Sequence, residues 1–288
     1  MTTYAITAAT GQLGRLAIDH LLDRGIAPAD LTAIVRDQAK ATSLQDAGVQ
    51  VRVADYEDPA ALRSAFAGID RLLLISSNSF IPGQRAVHHA NAIDAAASAG
   101  VGRIVYTSLL RADTNTMPLG EEHRLTEKHL RDSGVPAVIL RNGWYVENFT
   151  DQLDTYRHLG ALIGASGQAR IAPASRADLA AAAVSALLDD AVEAAEYELA
   201  GPSVTFPELA AALGKATGTE LPYRNVPLED YRTGLLAAGL DEGTAGFVTA
   251  LEAGMANGDL DSDSTDLQQL LGRPTTDLHT ALTSAVER

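Results

Sequence analysis

Residues 4–14 read Tyr4-Ala-Ile-Thr-Ala-Ala-Thr-Gly-Gln-Leu-Gly14. A short apolar run enters a turn of small residues, and a helical pattern begins at once. Strand, tight turn and helix in that order make a cradle for the pyrophosphate of a dinucleotide. The N–H groups at a helix start have no partner within the helix, and the dipole there favours an anion. Gly11 lets the backbone approach the phosphates, and Gly14 lets the helix pack closely on the strand. The spacing is that of G-x-x-G-x-x-G with Ala8 at the first glycine, and alanine fits such a turn when its φ is negative. Ala8, Ala9, Thr10, Gly11, Gln12, Leu13 and Gly14 are therefore the first cofactor-binding candidates.

The pattern outward from this turn supports the same architecture. Apolar runs at 3–7, 31–35, 49–53, 71–75, 103–107 and 137–141 read as strands. Helical patterns at 12–24, 58–67, 84–99 and 121–133 lie between them. Runs such as Leu72-Leu73-Leu74-Ile75 do not alternate with polar residues, which suits central parallel strands covered on both faces. Asp58-Pro59 and the Thr205-x-x-Glu208 capping box mark helix starts. The fold class expected is α/β, a Rossmann-type doubly wound parallel sheet with a smaller, mostly helical C-terminal substrate domain. Residues 1–147, with a final helix and strand at about 176–200, form the dinucleotide-binding domain. Residues 148–175 and 201–288 form the smaller one, with helices at 148–158, 205–216, 228–238, 244–256 and 276–286.

Composition narrows the function. The 288 residues carry 37 acids against 22 bases, a formal net charge of −15, with no Lys/Arg block. Nucleic acid would repel such a chain. No apolar run approaches the roughly 18 residues of a membrane span. The absence of cysteine removes disulfides, thiolate catalysis and Cys-ligated zinc, and agrees with a cytoplasmic location. No basic segment precedes an apolar one at the N-terminus, so no signal peptide is expected. No metal set is expected either.

Several residues stand where strands end, the edge at which open α/β sheets bind ligands. Arg36 follows the second strand and lies 22 residues after Gly14. A carboxylate there would accept from the ribose hydroxyls, whereas arginine pairs with a 2′-phosphate, so NADPH is expected over NADH. Asp37 is an alternative partner for the ribose. Asp55 ends the third strand, as an adenine contact or as a turn residue. Ser76, Ser77 and Asn78 end the fourth, on the ribose and nicotinamide side. Gln84 and Arg85 open the next helix and can point polar groups into the same crevice. Lys128 lies on the helix after the fifth strand, as a nicotinamide-ribose contact or a solvated surface lysine. Where a short-chain dehydrogenase has its proton-donating tyrosine, four residues before that lysine, this chain has Arg124, which cannot act as an acid near neutral pH. His123 is either a proton donor or a surface residue, and no catalytic residue is assigned. Gly143-Trp144-Tyr145 ends the sixth strand, with the chain's one Trp. Flat apolar walls there suit a planar aromatic substrate, which makes Gln84, Trp144 and Tyr145 the substrate candidates.

Taken together, Ala9-Thr-Gly-Gln-Leu-Gly14, Ala33-Ile-Val-Arg36, Ala54-Asp-Tyr56, Leu72-Leu-Leu-Ile-Ser-Ser77, Gly83-Gln-Arg85, Tyr106-Thr-Ser-Leu-Leu110 and Leu140-Arg-Asn-Gly-Trp-Tyr145 resemble the NmrA-like group of atypical short-chain dehydrogenases, in its quinone-reducing branch. The resemblance covers essentially the whole chain and departs from the family pattern at Ala8 and in a longer 78–83 loop. It implies NADPH held by the turn around Ala8–Leu13, by Arg36, by Ser76–Asn78, by Gly143, Trp144, Tyr145, Val146, Glu147 and Asn148, and by Arg176. It also implies hydride transfer to a quinone without a flavin; the sequence leaves monomer and homodimer both open. Reduction of a triphenylmethane or azo-type acceptor, and a non-enzymatic role as an NADP-binding redox sensor, are the alternatives that the same resemblance allows.

Overall fold

The computed structural model describes residues 1–192 and 195–287; Glu193 and Ala194, within the expected 176–200 segment, and Arg288, at the end of 201–288, lie outside them. The first six strands are β1 (Tyr4–Ile6), β2 (Leu31–Val35), β3 (Gln50–Val53), β4 (Arg71–Leu74), β5 (Arg103–Leu109) and β6 (Ala137–Asn142). With Glu196–Leu199 they form a seven-stranded sheet in the order β3-β2-β1-β4-β5-β6-last strand. β1 pairs in parallel with β2 and β4, β2 with β3, and β4 with β5. The order reverses beside β1, and that reversal is the switch point of a doubly wound fold.

Helices α1 (Gln12–Asp23), α2 (Thr42–Asp46), α3 (Pro59–Ala65), α4 (Gln84–Ala99) and α5 (Pro118–Ser133) form the crossovers. Asp58 starts α3 by accepting from the Ala60 and Ala61 amides at 3.0 and 2.9 Å, with Pro59 in the first turn. α3 packs on α4, and α1 on the helix Arg176–Leu188. Ala5, Leu72, Leu74, Ile104 and Tyr106 join Leu62, Phe66, Ala92, Ile93 and Ala96 in one buried cluster. Side chains alternate across a strand, so Leu73 and Val105, also fully buried, face the other side. Helices thus cover both faces, which is why the strand sequences read as unbroken apolar runs.

The chain divides into two compact units. The first comprises Met1–Leu109, Glu122–Arg141 and Arg176–Tyr197. The second comprises Leu110–Glu121, Asn142–Ser175 and Glu198–Arg288. Leu110–Glu121 groups with the second unit because Asp259 holds it there: its carboxylate accepts from the Thr116 amide at 2.8 Å and hydroxyl at 2.6 Å. That unit is mostly helical. Its strands are short pairs, Leu162–Gly164 with Tyr223–Asn225 and Arg170–Ile171 with Val204–Thr205. The expected 148–158 helix is two helices, Glu147–Thr150 and Leu153–Leu159. The helix Phe206–Thr217 begins with the Thr205–Glu208 capping box that the sequence predicts. Among the described residues, no helix is long and apolar enough to cross a membrane.

Candidate active site

The turn after β1 is shaped by close backbone approach. A Cβ on Gly14 would lie 2.5 Å from the Ala8 carbonyl oxygen and 2.8 Å from Ala9 Cα, so only glycine fits there. Ala8 adopts φ +47°, against the expectation of a negative value. The left-handed conformation lets its carbonyl accept from the Gly11 amide at 2.9 Å and close the turn. For an alanine it costs about 1–2 kcal/mol. Gly11 is the extended N-cap of α1; no side chain caps this helix, and no acidic residue stands in its first turn. Main-chain donors and the dipole's positive end therefore stand ready for an anion, and these residues fit a dinucleotide pyrophosphate.

At the end of β2, Arg36 is exposed. The Asp37 carboxylate caps the next turn, Oδ1 accepting from the Ala39 amide at 2.9 Å. Arg15 donates to the Lys40 carbonyl and the Ser43 hydroxyl, which fixes the loop after Arg36. Asp55 Oδ1 is engaged in a turn, accepting from the Glu57 amide at 3.0 Å.

The end of β4 is tied to its neighbours. The Ile75 amide donates to Thr7 Oγ1 and the Ser76 amide to Thr107 Oγ1, at 2.8 and 2.9 Å. Ser77, expected as a cofactor contact, is buried and has a protein partner at each polar group. Its amide donates to His89 Nε2 and its hydroxyl meets His88 Nδ1, both at 2.8 Å, and its carbonyl accepts from Arg85. Arg85 thus points into the protein and not into a crevice. Gln84 is engaged by Ser79 at 2.5 Å and Glu57 at 2.6 Å. Asn78 is exposed and Ser76 half-buried, on either side of Ser77.

His123 is neither a surface residue nor an acid for a substrate. It is buried, and its Nδ1 lies 2.6 Å from the Tyr106 hydroxyl. Burial, with the Arg85 charge as a smaller cause, pushes its pKa down to about 3, so it is neutral near pH 7. Tyr106 is fully buried, and desolvation pushes its phenol well up. Lys128 is a surface lysine, 72% exposed and paired with Asp132 one turn on.

Sequence reasoning missed Glu127. This buried carboxylate accepts from Ser108 Oγ at 2.6 Å and from Arg141 Nε and Nη2 at 3.0 and 2.8 Å. It links α5 to the ends of β5 and β6. Two polar residues closing adjacent apolar strands were the only signal for it.

In the second unit, Gly143 owes its identity to packing. A Cβ there would lie 2.7 Å from the Ala172 carbonyl oxygen and 3.0 Å from that of Leu199. The backbone of Trp144–Val146 pairs with Ala174: the Ala174 amide donates to the Trp144 carbonyl, and the Val146 amide to the Ala174 carbonyl, at 2.9 and 3.0 Å. Trp144, Tyr145, Glu147 and Asn148 are half-buried. Arg176, in the first unit, opens the helix Arg176–Leu188 and is also half-buried. A cavity of about 680 Å³ lies at the opposite, N-terminal strand ends, lined by Asp70, Arg71, Arg103 and Asp190. Its arginines are engaged by the carbonyls of Leu187, Leu188 and Asp189, so it reads as structural.

A doubly wound parallel sheet with an uncapped, glycine-pressed turn after its first strand defines a dinucleotide-binding protein. The sequence pattern of the NAD(P)H-binding family matches residues 8–190. The chain is 46% identical over 275 residues to quinone oxidoreductase 2 of Escherichia coli strain K12, covering 95% of each. The crystal structure of an NADPH-dependent quinone oxidoreductase from E. coli complexed with NADPH superposes with a TM-score of 0.92 at 44% identity, over 98% of this chain and 99% of that one. Triphenylmethane reductase of Citrobacter sp., complexed with NADP(H), gives 0.92 at 35% identity, over 98% and 100%. The chain belongs to the NAD(P)H-binding, NmrA-like family.

Proposed function

We propose that this protein is an NADPH-dependent quinone oxidoreductase that transfers hydride to the quinone without a flavin or a metal, in the cytoplasm. Near-full-length similarity to an E. coli quinone oxidoreductase carries this reading. The turn Ala8–Gly14 receives the pyrophosphate on its main-chain donors, and Arg36 pairs with the 2′-phosphate. Ser76 and Asn78 serve the nicotinamide end. Trp144 and Tyr145 are assigned to the planar acceptor, and Gly143–Asn148 and Arg176 complete the proposed set. Gln84, engaged on both sides of its amide, and Lys128, on the surface, are left out of it.

When bound, NADPH supplies the hydride. The protein's part is orientation and proximity. A quinone needs no strong acid, because the hydroquinone anion holds its charge by delocalisation. This agrees with Arg124 at the usual tyrosine position and with a neutral, buried His123. Protonation falls to water or to Tyr145.

A second reading, a cationic or azo dye as acceptor, is favoured by the similarity to triphenylmethane reductase. NADPH oxidation with 1,4-benzoquinone present, absent, and replaced by such a dye tests both. Fast quinone-dependent oxidation supports the first, and dye-only turnover replaces it with the second. Arg36→Glu is expected to weaken NADPH binding by about tenfold or more and NADH binding little. Equal losses would remove Arg36 from the 2′-phosphate.

A further inference from the structure

Arg85, His88 and His89 lie three and four residues apart on α4, on one face of the helix. All three are buried, and all three converge on Ser77. Arg85 Nη1 donates to the Ser77 carbonyl, His88 Nδ1 meets its hydroxyl at 2.8 Å, and His89 Nε2 accepts from its amide at 2.8 Å. Every polar atom of Ser77 is thus held by one helix face. Arg85 extends the grip to the Ser79 carbonyl at 3.1 Å, and it is itself held by Glu122 at 3.1 Å. The other Glu122 oxygen accepts from the Gly83 amide at 2.8 Å.

The protons in this network run one way. A backbone amide only donates, so His89 Nε2 accepts and Nδ1 carries the proton. Nδ1–H then donates to Thr126 Oγ1 at 2.8 Å, and the Thr126 hydroxyl donates to the Glu122 carbonyl at 2.9 Å. An arginine and two imidazoles are costly to bury, and apolar side chains would close a sheet edge as well. What this set adds is a fixed main chain between half-buried Ser76 and exposed Asn78.

We propose that Arg85, His88 and His89 are positioning residues that lock Ser77, so that Ser76 and Asn78 meet the nicotinamide end of the cofactor in a preset geometry. The inference rests on the NADPH reading above and adds that this segment is organised before the cofactor arrives.

Two measurements test it. Amide hydrogen exchange at Ser77, whose N–H donates to His89, is expected to be slow in the ligand-free wild-type protein. Rapid exchange that slows only when NADPH is added would overturn the lock. Equilibrium NADPH binding is then compared in His89→Met, whose thioether is a poor acceptor, and His89→Gln, whose carbonyl can replace Nε2. The Met variant is expected to raise the Kd by about tenfold, with a smaller change in the KM for quinone. The Gln variant is expected within about threefold of wild type. Unchanged affinity in the Met variant, or equal loss in both, would contradict a positioning role. If His89→Met does not fold, the exchange measurement on wild-type protein still decides. Wild-type protein that binds NADPH but reduces no quinone overturns the reaction and leaves this test intact. Wild-type protein that binds no NADPH overturns the lock together with the cofactor reading.

Discussion

Two turns leave neighbouring strands of the same sheet and handle their polar groups in opposite ways. After β1, the chain uses small residues, leaves α1 without a side-chain cap, and holds Ala8 at positive φ. After β4, Ser77 has a partner for its amide, its carbonyl and its hydroxyl. Thr7 joins the two: its amide donates to the Leu73 carbonyl at 3.1 Å, and its hydroxyl accepts from the Ile75 amide at 2.8 Å. In the first turn protein carbonyls hold only the Ala9 and Gly11 amides and no side chain caps the helix start, whereas the second takes its position from side chains. Main-chain donors left without protein partners show where binding occurs, and fully paired ones show what is held still for it.

The comparison breaks most sharply at Gly14. A Cβ there meets backbone atoms, which cannot swing aside. Gly14→Ala is expected to lower stability by about 1–3 kcal/mol and NADPH affinity on the order of 100-fold. Denaturant melts and a binding titration check this, and near-normal affinity would show that the turn is not the phosphate site.

Acid probes the buried histidines behind the closed turn, where the His123 ring lies 6.2 Å from that of His89. Burial pushes the pKa of folded His123 down to about 3, well below an unfolded histidine. The unfolded chain therefore takes up a proton that the native state refuses as pH falls from about 6.5 towards 3. The stability this residue contributes is complete above that window and lost at about 1.4 kcal/mol per pH unit within it. His89 shifts in the same direction, through burial first and then the charges around it. Unfolding measured at pH 7.5 and pH 5.5 is expected to show a steeper fall in wild type than in His123→Asn. Parallel slopes would contradict the buried, neutral assignment.

The smallest effect is expected at Ala8. Glycine there relieves about 1–2 kcal/mol of strain and gives back about 0.5–1 in chain entropy, a net gain below about 1.5 kcal/mol. A calorimetric melt of Ala8→Gly that falls below wild type would show that the turn is not strained.

Much of this was legible in the sequence, for physical reasons. Parallel strands covered on both faces produce apolar runs, so Leu31–Val35 and Leu72–Leu74 stand out. The phosphate turn is local, and its spacing is its geometry. The two-to-three-residue strands of the second unit left no pattern, because their pairing is set by distant chain. Gly143 ends a strand, and the sequence does not show that two carbonyls leave no room for a Cβ there. The partners of Ser77 were hidden because sequence does not show which helix packs on a strand end. The clue lay on α4, where Arg85, His88 and His89 share a face that an ordinary crossover helix fills with apolar residues.

The central claim is direct hydride transfer from NADPH bound at these two turns to a quinone. A single turnover tests it most directly: flavin-free protein loaded with NADPH deuterated at the transferring position is mixed with excess 1,4-benzoquinone. The account predicts rapid loss of NADPH with a deuterium isotope effect and no requirement for added flavin. Bound NADPH that survives the quinone, or turnover that appears only when flavin is supplied, would contradict it.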